Sequence, residues 1–231
     1  SSPAGISCGT TCSGSYVVNT VVALSAVADT TSNFNGWSGA CTGTGACNVI
    51  LDAAKSVTAT FTRVTYALTV TRTIGGTVTS APAGLFCGAA CSTSFDAGSV
   101  VALTASPDSG ATFAGWSGGG CSGTGTCNVT IDAAKTVSAR FTFPLTVTKN
   151  GTGTGTLSSS PAGVSCGTTC VASYDGGTTV VLTATPSANA TFSGWSGTCS
   201  GTGTCTVPMD ASRFVTATFA GNTATLAVSL L

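Results

Sequence analysis

Cysteine is the residue type here whose number and spacing could support covalent or metal chemistry: the 231-residue chain has twelve. Three C-x3-C pairs, Cys8 with Cys12, Cys87 with Cys91 and Cys166 with Cys170, alternate with three C-x5-C pairs, Cys41 with Cys47, Cys121 with Cys127 and Cys199 with Cys205. An even count at fixed spacing in a chain rich in Ser, Thr and Gly points to disulfides and an oxidising compartment. Local pairing is expected, because each pair brackets a Gly-containing loop able to fold back on itself. Pairing between the two loops of one repeat is the alternative. A local bridge of this size adds roughly 2 kcal/mol if the chain-entropy model holds. Four thiolates could also hold zinc, but these spacings are not the usual C-x2-C, and neither metal nor cofactor is expected.

Acid–base chemistry has little to work with. The chain has no His and no Glu, and its seven acids are all Asp. Asp52, Asp132 and Asp210 fall at one recurring turn position, a common structural use of Asp. No close pair of acids suits glycoside hydrolysis, and no Asp-rich loop suits calcium. Gly115-Trp116-Ser117-Gly118-Gly119 matches the G-x-S-x-G nucleophile string, which requires a histidine partner that this chain lacks. Lys55 and Lys135 could in principle form isopeptide crosslinks, but Arg213 replaces Lys at the third equivalent position, so a solvated turn is the better reading. The Thr-Gly-Thr-Gly stretches around Gly43, Gly123 and Gly201 carry no following Lys and are not phosphate loops. An enzyme is not expected.

Charge excludes further classes. Charged residues make up 6 % of the chain and sum to zero, so nothing draws it to nucleic acid or acidic lipid. Apolar residues make up 42 %, too many for a disordered chain. No apolar run reaches the roughly 18 residues of a membrane helix, so membrane insertion is not expected. Asn128, Asn150 and Asn189 lie in N-x-S/T strings, which matter only in a host that glycosylates them.

The elements that carry the cysteines repeat. Trp37, Trp116 and Trp195 are 79 residues apart, as are Cys8, Cys87 and Cys166. The pattern predicts repeat 1 over 1–63, repeat 2 over 64–142, repeat 3 over 143–220 and a terminal segment over 221–231. In the middle copy, alternation predicts strands through Tyr66, Leu68 and Val70, at Thr77 to Ser80, through Val101, Leu103 and Ala105, at Phe113 to Trp116, at Val129 and Ile131, and through Val137, Ala139 and Phe141. Cysteine loops are expected at Cys87 to Cys91 and Cys121 to Cys127. Phe34 with Trp37, Phe113 with Trp116 and Phe192 with Trp195 read as the aromatic core of each copy, with exposed sugar-binding platforms as the alternative. The fold class is all-β: three tandem small β-rich domains, stapled by disulfides, in an elongated array.

The two ends differ from the period. Repeats 2 and 3 carry a leading strand, Leu68 to Val70 and Leu145 to Val147, before Pro82 and Pro161, whereas only Ser1 and Ser2 precede the equivalent Pro3. At the other end Leu226 follows Phe219 by seven residues, as Leu68 follows Phe61, and Val228 matches Val70. The tail thus reads as the leading strand of a further repeat. A domain missing a strand exposes an apolar groove that an extended segment can fill, and a head-to-tail contact of that kind builds an open filament unless it closes into a ring. Alternatively, the chain is a stretch of a longer array.

The segments Phe192-Ser193-Gly194-Trp195-Ser196-Gly197, Cys199 to Cys205, Pro161 to Gly167 and Val215 to Phe219 resemble the divergent form of the internalin-type B-repeat. That resemblance implies small β-rich domains related to the β-grasp class, in tandem on secreted bacterial surface proteins, with roles in spacing, adhesion and assembly and no catalytic residues. The expected function is therefore a non-enzymatic structural subunit of an extracellular, pilus-like bacterial filament. Its expected partner is itself, with Thr223, Thr225, Leu226, Val228 and Leu230 as the donor strand. The alternative is an adhesive spacer of a larger surface adhesin that binds a host or matrix glycan or protein.

Overall fold

A computed structural model describes residues 1–88, 90–165, 169–223 and 226–228. The described residues form strands and turns and no helix. Repeat 1 contributes β1 (Val21–Leu24), β2 (Ser32–Gly39), β3 (Cys47–Ile50) and β4 (Val57–Arg63). Repeat 2 contributes β5 (Thr65–Arg72), β6 (Gly76–Ala81), β7 (Phe86–Cys87), β8 (Ala90–Asp96), β9 (Val100–Pro107), β10 (Thr112–Ser117), β11 (Cys127–Thr130) and the first half of β12 (Lys135–Asn150). The second half of β12 opens repeat 3, followed by β13 (Gly155–Ser160), β14 (Thr169–Asp175), β15 (Thr179–Pro186), β16 (Ala190–Gly197), β17 (Cys205–Pro208) and β18 (Arg213–Gly221). Thr and Val supply much of these strands and suit a pleated, half-buried surface. β3, β11 and β17 alternate buried and exposed residues without a break.

Repeat 3 shows the complete unit. One sheet runs β16, β18, second half of β12, β14; the other runs β13, β15, β17. Leu145, Val147, Val215 and Phe219 of the first sheet and Leu157, Val180, Leu182 and Val207 of the second share one core, which makes the domain a sandwich. The leading strand is central. It pairs in parallel with β18 (Leu145↔Arg213, Val147↔Val215) and antiparallel with β14 (Leu145↔Ala172, Val147↔Cys170). In repeat 2, β5 holds the same place, parallel to β12 (Leu68↔Lys135, Val70↔Val137) and beside β8.

Three features differ from the sequence expectation. β12 is one strand of 16 residues that closes repeat 2 and opens repeat 3 without interruption. Pro144 sits within it, opposite Ser173 of β14 along one edge and, along the other, between the stretch paired with β5 and the stretch paired with β18. A proline that cannot donate to a ladder is tolerated at such a change of partner. Second, the Cys87 to Cys91 stretch is not simply a loop, since Cys87 ends β7 and Cys91 lies in β8. Third, Ile131 falls just beyond β11.

By packing, the chain divides into two compact units, Ser1–Ala67 with Ser94–Ser99 and Thr130–Ala134, and Leu68–Thr93 with Val100–Val129 and Lys135–Leu231. Among the described residues, no helix is long and apolar enough to cross a membrane.

Leu145 is fully buried on the central strand of repeat 3. Leu145→Ala should cost about 2–5 kcal/mol by denaturant unfolding, as buried Leu truncations do. A loss below about 1 kcal/mol would contradict the central placement of this strand.

Candidate functional site: an open groove in the first repeat

Each repeat closes its core around a Phe-x-Gly-Trp motif. The rings of Phe34 and Trp37 lie 5.2 Å apart, those of Phe113 and Trp116 4.9 Å, and those of Phe192 and Trp195 5.0 Å, all edge-on. Each Phe also meets the ring of the last strand, Phe61, Phe141 or Phe219, at 5.3 to 5.4 Å. Each indole Nε1 donates to a glycine carbonyl in the C-x5-C loop: Trp37 to Gly45 at 3.0 Å, Trp116 to Gly125 at 2.7 Å and Trp195 to Gly203 at 2.7 Å. Trp116 and Trp195 are buried, whereas Trp37 is half-buried. The glycine between the rings is required by geometry. A β-bulge falls there in all three copies, Gly115 has φ +134°, and a Cβ on it would come within 3.1 Å of the Gly123 carbonyl.

The described cysteines pair within their local loops: Cys8–Cys12, Cys41–Cys47, Cys87–Cys91, Cys121–Cys127 and Cys199–Cys205. Cys166 lies outside the described residues, and with it the expected Cys166–Cys170 pair. Among the described residues no group of three or more His, Cys, Asp or Glu could hold a metal ion. The recurring Asp turn is clasped by a cation three residues on: Lys55 Nζ sits 2.7 Å from Asp52, and Arg213 pairs with Asp210. The hydrogen bond from Lys55 holds the Asp52 carboxyl below its ordinary value, and that from Arg213 does the same for Asp210. For Asp29 the cause is first the Ser32 hydroxyl, then the Thr31 hydroxyl and amide.

The repeats part company along the last strand. The inward residues of that strand are buried in repeat 2 (Val137, Ala139, Phe141) and in repeat 3 (Val215, Ala217, Phe219). In repeat 1 their equivalents Ala59 and Phe61 are exposed and Val57 is half-buried. Phe61 is 43 % exposed, against 0 % for Phe141 and 1 % for Phe219. The cause is a sheet cut to two strands: β4 pairs with β2 on one edge, and no described strand lies on the other. Residues 12–17, which correspond to β8 and β14, form no strand. What remains is a groove of about 920 Å³ lined by Ile6, Tyr16, Val22, Trp37, Val57 and Phe61 among others.

The far wall of this groove is nevertheless built, by a device that the sequence reading did not single out. Ser1 Oγ donates to the Pro3 carbonyl (2.9 Å), accepts from the Ile6 amide (3.0 Å) and lies 3.0 Å from the Tyr16 hydroxyl. In repeat 3, Ser159 makes the same set with Pro161, Val164 and Tyr174 at 2.8, 2.9 and 2.8 Å. The recurrence of Ser1, Ser80 and Ser159 two residues before each Pro was the available signal.

At the other end, Thr223 and Leu226 to Val228 form no strand, and Leu226 and Val228 are 88 % and 77 % exposed. Thr225 and Leu230 lie outside the described residues. The structure thus places the expected donor residues Thr223, Leu226 and Val228 in solvent, with no described sheet edge beside them.

A tandem array of disulfide-stapled β-repeats, each carrying the same aromatic and glycine motif, defines the class of protein. The model of the divergent InlB B-repeat domain matches residues 3–65, 66–143 and 145–223, and the chain belongs to that family. No curated protein matches the chain. Among solved structures it overlaps the minor pilin GBS52 of Streptococcus agalactiae at 9 % identity and TM-score 0.23, over 71 % of this chain and 100 % of that one. It overlaps the major pilin T-13 of Streptococcus pyogenes at 10 % identity and TM-score 0.28, over 68 % and 97 %. Likenesses this weak carry no inference about assembly.

Two predictions follow from the motif and the clasps. Gly115→Ala should destabilise repeat 2 by about 1–3 kcal/mol, the usual cost of forcing a side chain into such a backbone region; an unchanged denaturant midpoint would contradict the bulge. The depressed carboxyls of Asp29, Asp52 and Asp210 contribute stability above their ordinary value of 3.8, and lose it as pH falls through their lower folded values. With no His or Glu, the melting temperature should hold level between pH 7 and about 5 and decline only below about 4. A decline already at pH 6 would contradict this.

Proposed function

We propose that this chain is a structural subunit of an extracellular bacterial filament, in which the segment Thr223 to Leu231 of one copy completes the first repeat of the next. Membership of the B-repeat family and the disulfides support a structural role at the cell surface. The observation that carries the finer reading is the match between deficit and surplus. Repeat 1 leaves β4 without the parallel neighbour that β5 and the second half of β12 provide elsewhere. The tail carries Leu226 and Val228, exposed, at the spacing of the leading-strand residues Leu68 and Val70.

Physical magnitudes decide what kind of contact this must be. Burying two aliphatic side chains yields roughly 3–6 kcal/mol. Bringing two bodies together costs an estimated 4–15 kcal/mol. A lasting joint therefore needs the backbone ladders as well, on both edges of the donated strand, which is the situation of every leading strand in repeats 2 and 3.

Analytical ultracentrifugation of the full chain and of a chain ending at Asn222 tests the reading. Polymers of the first and monomers of the second are expected. Polymers that persist without the tail would refute strand donation. Monomers of the full chain would assign the groove to a leading strand elsewhere in a longer array, and the chain to the spacer role.

A further inference from the structure

Building on the strand-donation reading, we infer that the donated segment enters repeat 1 in one register, parallel to β4 and antiparallel to residues 12–16, with Leu226 opposite Lys55 and Val228 opposite Val57, and that this contact turns residues 12–16 into a strand.

Two templates within the chain give the same answer. In repeat 2, Leu68 stands opposite Lys135 and Val70 opposite Val137. In repeat 3, Leu145 stands opposite Arg213 and Val147 opposite Val215. Lys55 and Val57 hold the equivalent places in repeat 1. On the other edge Leu145 faces Ala172 and Val147 faces Cys170, which correspond to Gly14 and Cys12. Val228 would then lie between Val57 and Cys12, over the floor that Phe61 and Trp37 now leave open. The Ser1–Tyr16 clasp holds residues 12–16 near their final path before any strand arrives, so the cost of ordering them is already partly met. A slip of one residue would turn Leu226 and Val228 outward and Ala227 inward.

A separate feature points to a second copy of this chain as the occupant. In repeats 2 and 3 the turn after β8 or β14 abuts the preceding repeat. Asp96 pairs with Arg63 and the Ala97 amide donates to the Val64 carbonyl at 2.8 Å; Asp175 pairs with Arg140 and the Gly176 amide donates to the Phe141 carbonyl at 3.0 Å. Repeat 1 forms a turn with the same closing bond: the amides of Asn19, Gly98 and Gly177 donate to Leu51, Ile131 and Met209 at 2.9, 2.8 and 2.9 Å. Asn19 adopts φ +66°, the left-handed region that Gly98 and Gly177 also occupy. Yet the Asp and its neighbour are replaced by Val17 and Val18, 81 % and 67 % exposed. The surface that in later repeats receives a neighbouring repeat is here apolar and bare, beside the groove that receives the strand. A third repeat, arriving with its own tail, would cover both.

The test uses the full chain and three tail variants, Leu226→Asp, Ala227→Asp and Val228→Asp, read by sedimentation and by hydrogen exchange of the unmodified chain. Expected are polymers from the native chain and Ala227→Asp, loss of polymer from Val228→Asp and Leu226→Asp, and slowed exchange in residues 12–16 and 57–61 on assembly. If Ala227→Asp abolishes assembly while Val228→Asp permits it, the register is wrong though strand donation stands. If all three variants assemble, or exchange slows elsewhere only, the tail does not occupy this groove. If the native chain does not assemble, strand donation and the register fall together.

Discussion

Repeats 2 and 3 depend on a central leading strand that follows directly on the last strand of the repeat before it. The leading strand is central in its sheet: β5 lies between β8 and β12, and the second half of β12 lies between β14 and β18. Its inward residues, Leu68, Val70, Leu145 and Val147, are among the most buried in the chain. It is also covalently the continuation of the previous repeat's last strand, which β12 makes plain by running through 16 residues without a turn. Closing one domain therefore extrudes the strand on which the next domain is built. Such coupling makes repeats 2 and 3 nearest-neighbour partners.

The disulfides and the Trp motif solve a more local problem. A small sandwich with two short sheets has a modest core, and its loops carry backbone groups that the sheets do not pair. The C-x5-C bridge closes the loop, and the indole nitrogen satisfies a carbonyl inside it. The Ser–Pro clasp does similar work at the other loop, where Ser80 repeats the two backbone bonds of Ser1 and Ser159 to within a few tenths of an ångström, with Phe95 in place of the tyrosine. These devices hold repeat 1 in shape although its sheet is cut short, which is why its deficit appears as a groove with walls.

Much of this was legible in the sequence, for physical reasons. The period of 79 and the fixed cysteine and tryptophan positions require three copies of one core, and the strands that alternate Val or Leu with Thr announce themselves. β8 and β14 did not. Their residues are mostly small or polar, Ala, Cys, Ser and Thr, so these strands, each paired along one edge, show little apolar alternation of their own. The continuity of β12 was hidden by Pro144, which reads as a break unless its place between two pairing partners is known. The groove was legible as a missing strand, but not its preformed wall, because a hydroxyl bridging three backbone and side-chain groups has no periodic signature.

Electron microscopy of the native purified material, at a resolution that traces strands, tests the central claim most directly. Filaments with an axial repeat of one three-repeat subunit are expected. Density for an extra strand is expected along the free edge of β4, continuous with β18 of the adjacent subunit. Filaments whose subunits meet elsewhere, with that edge bare, would contradict it.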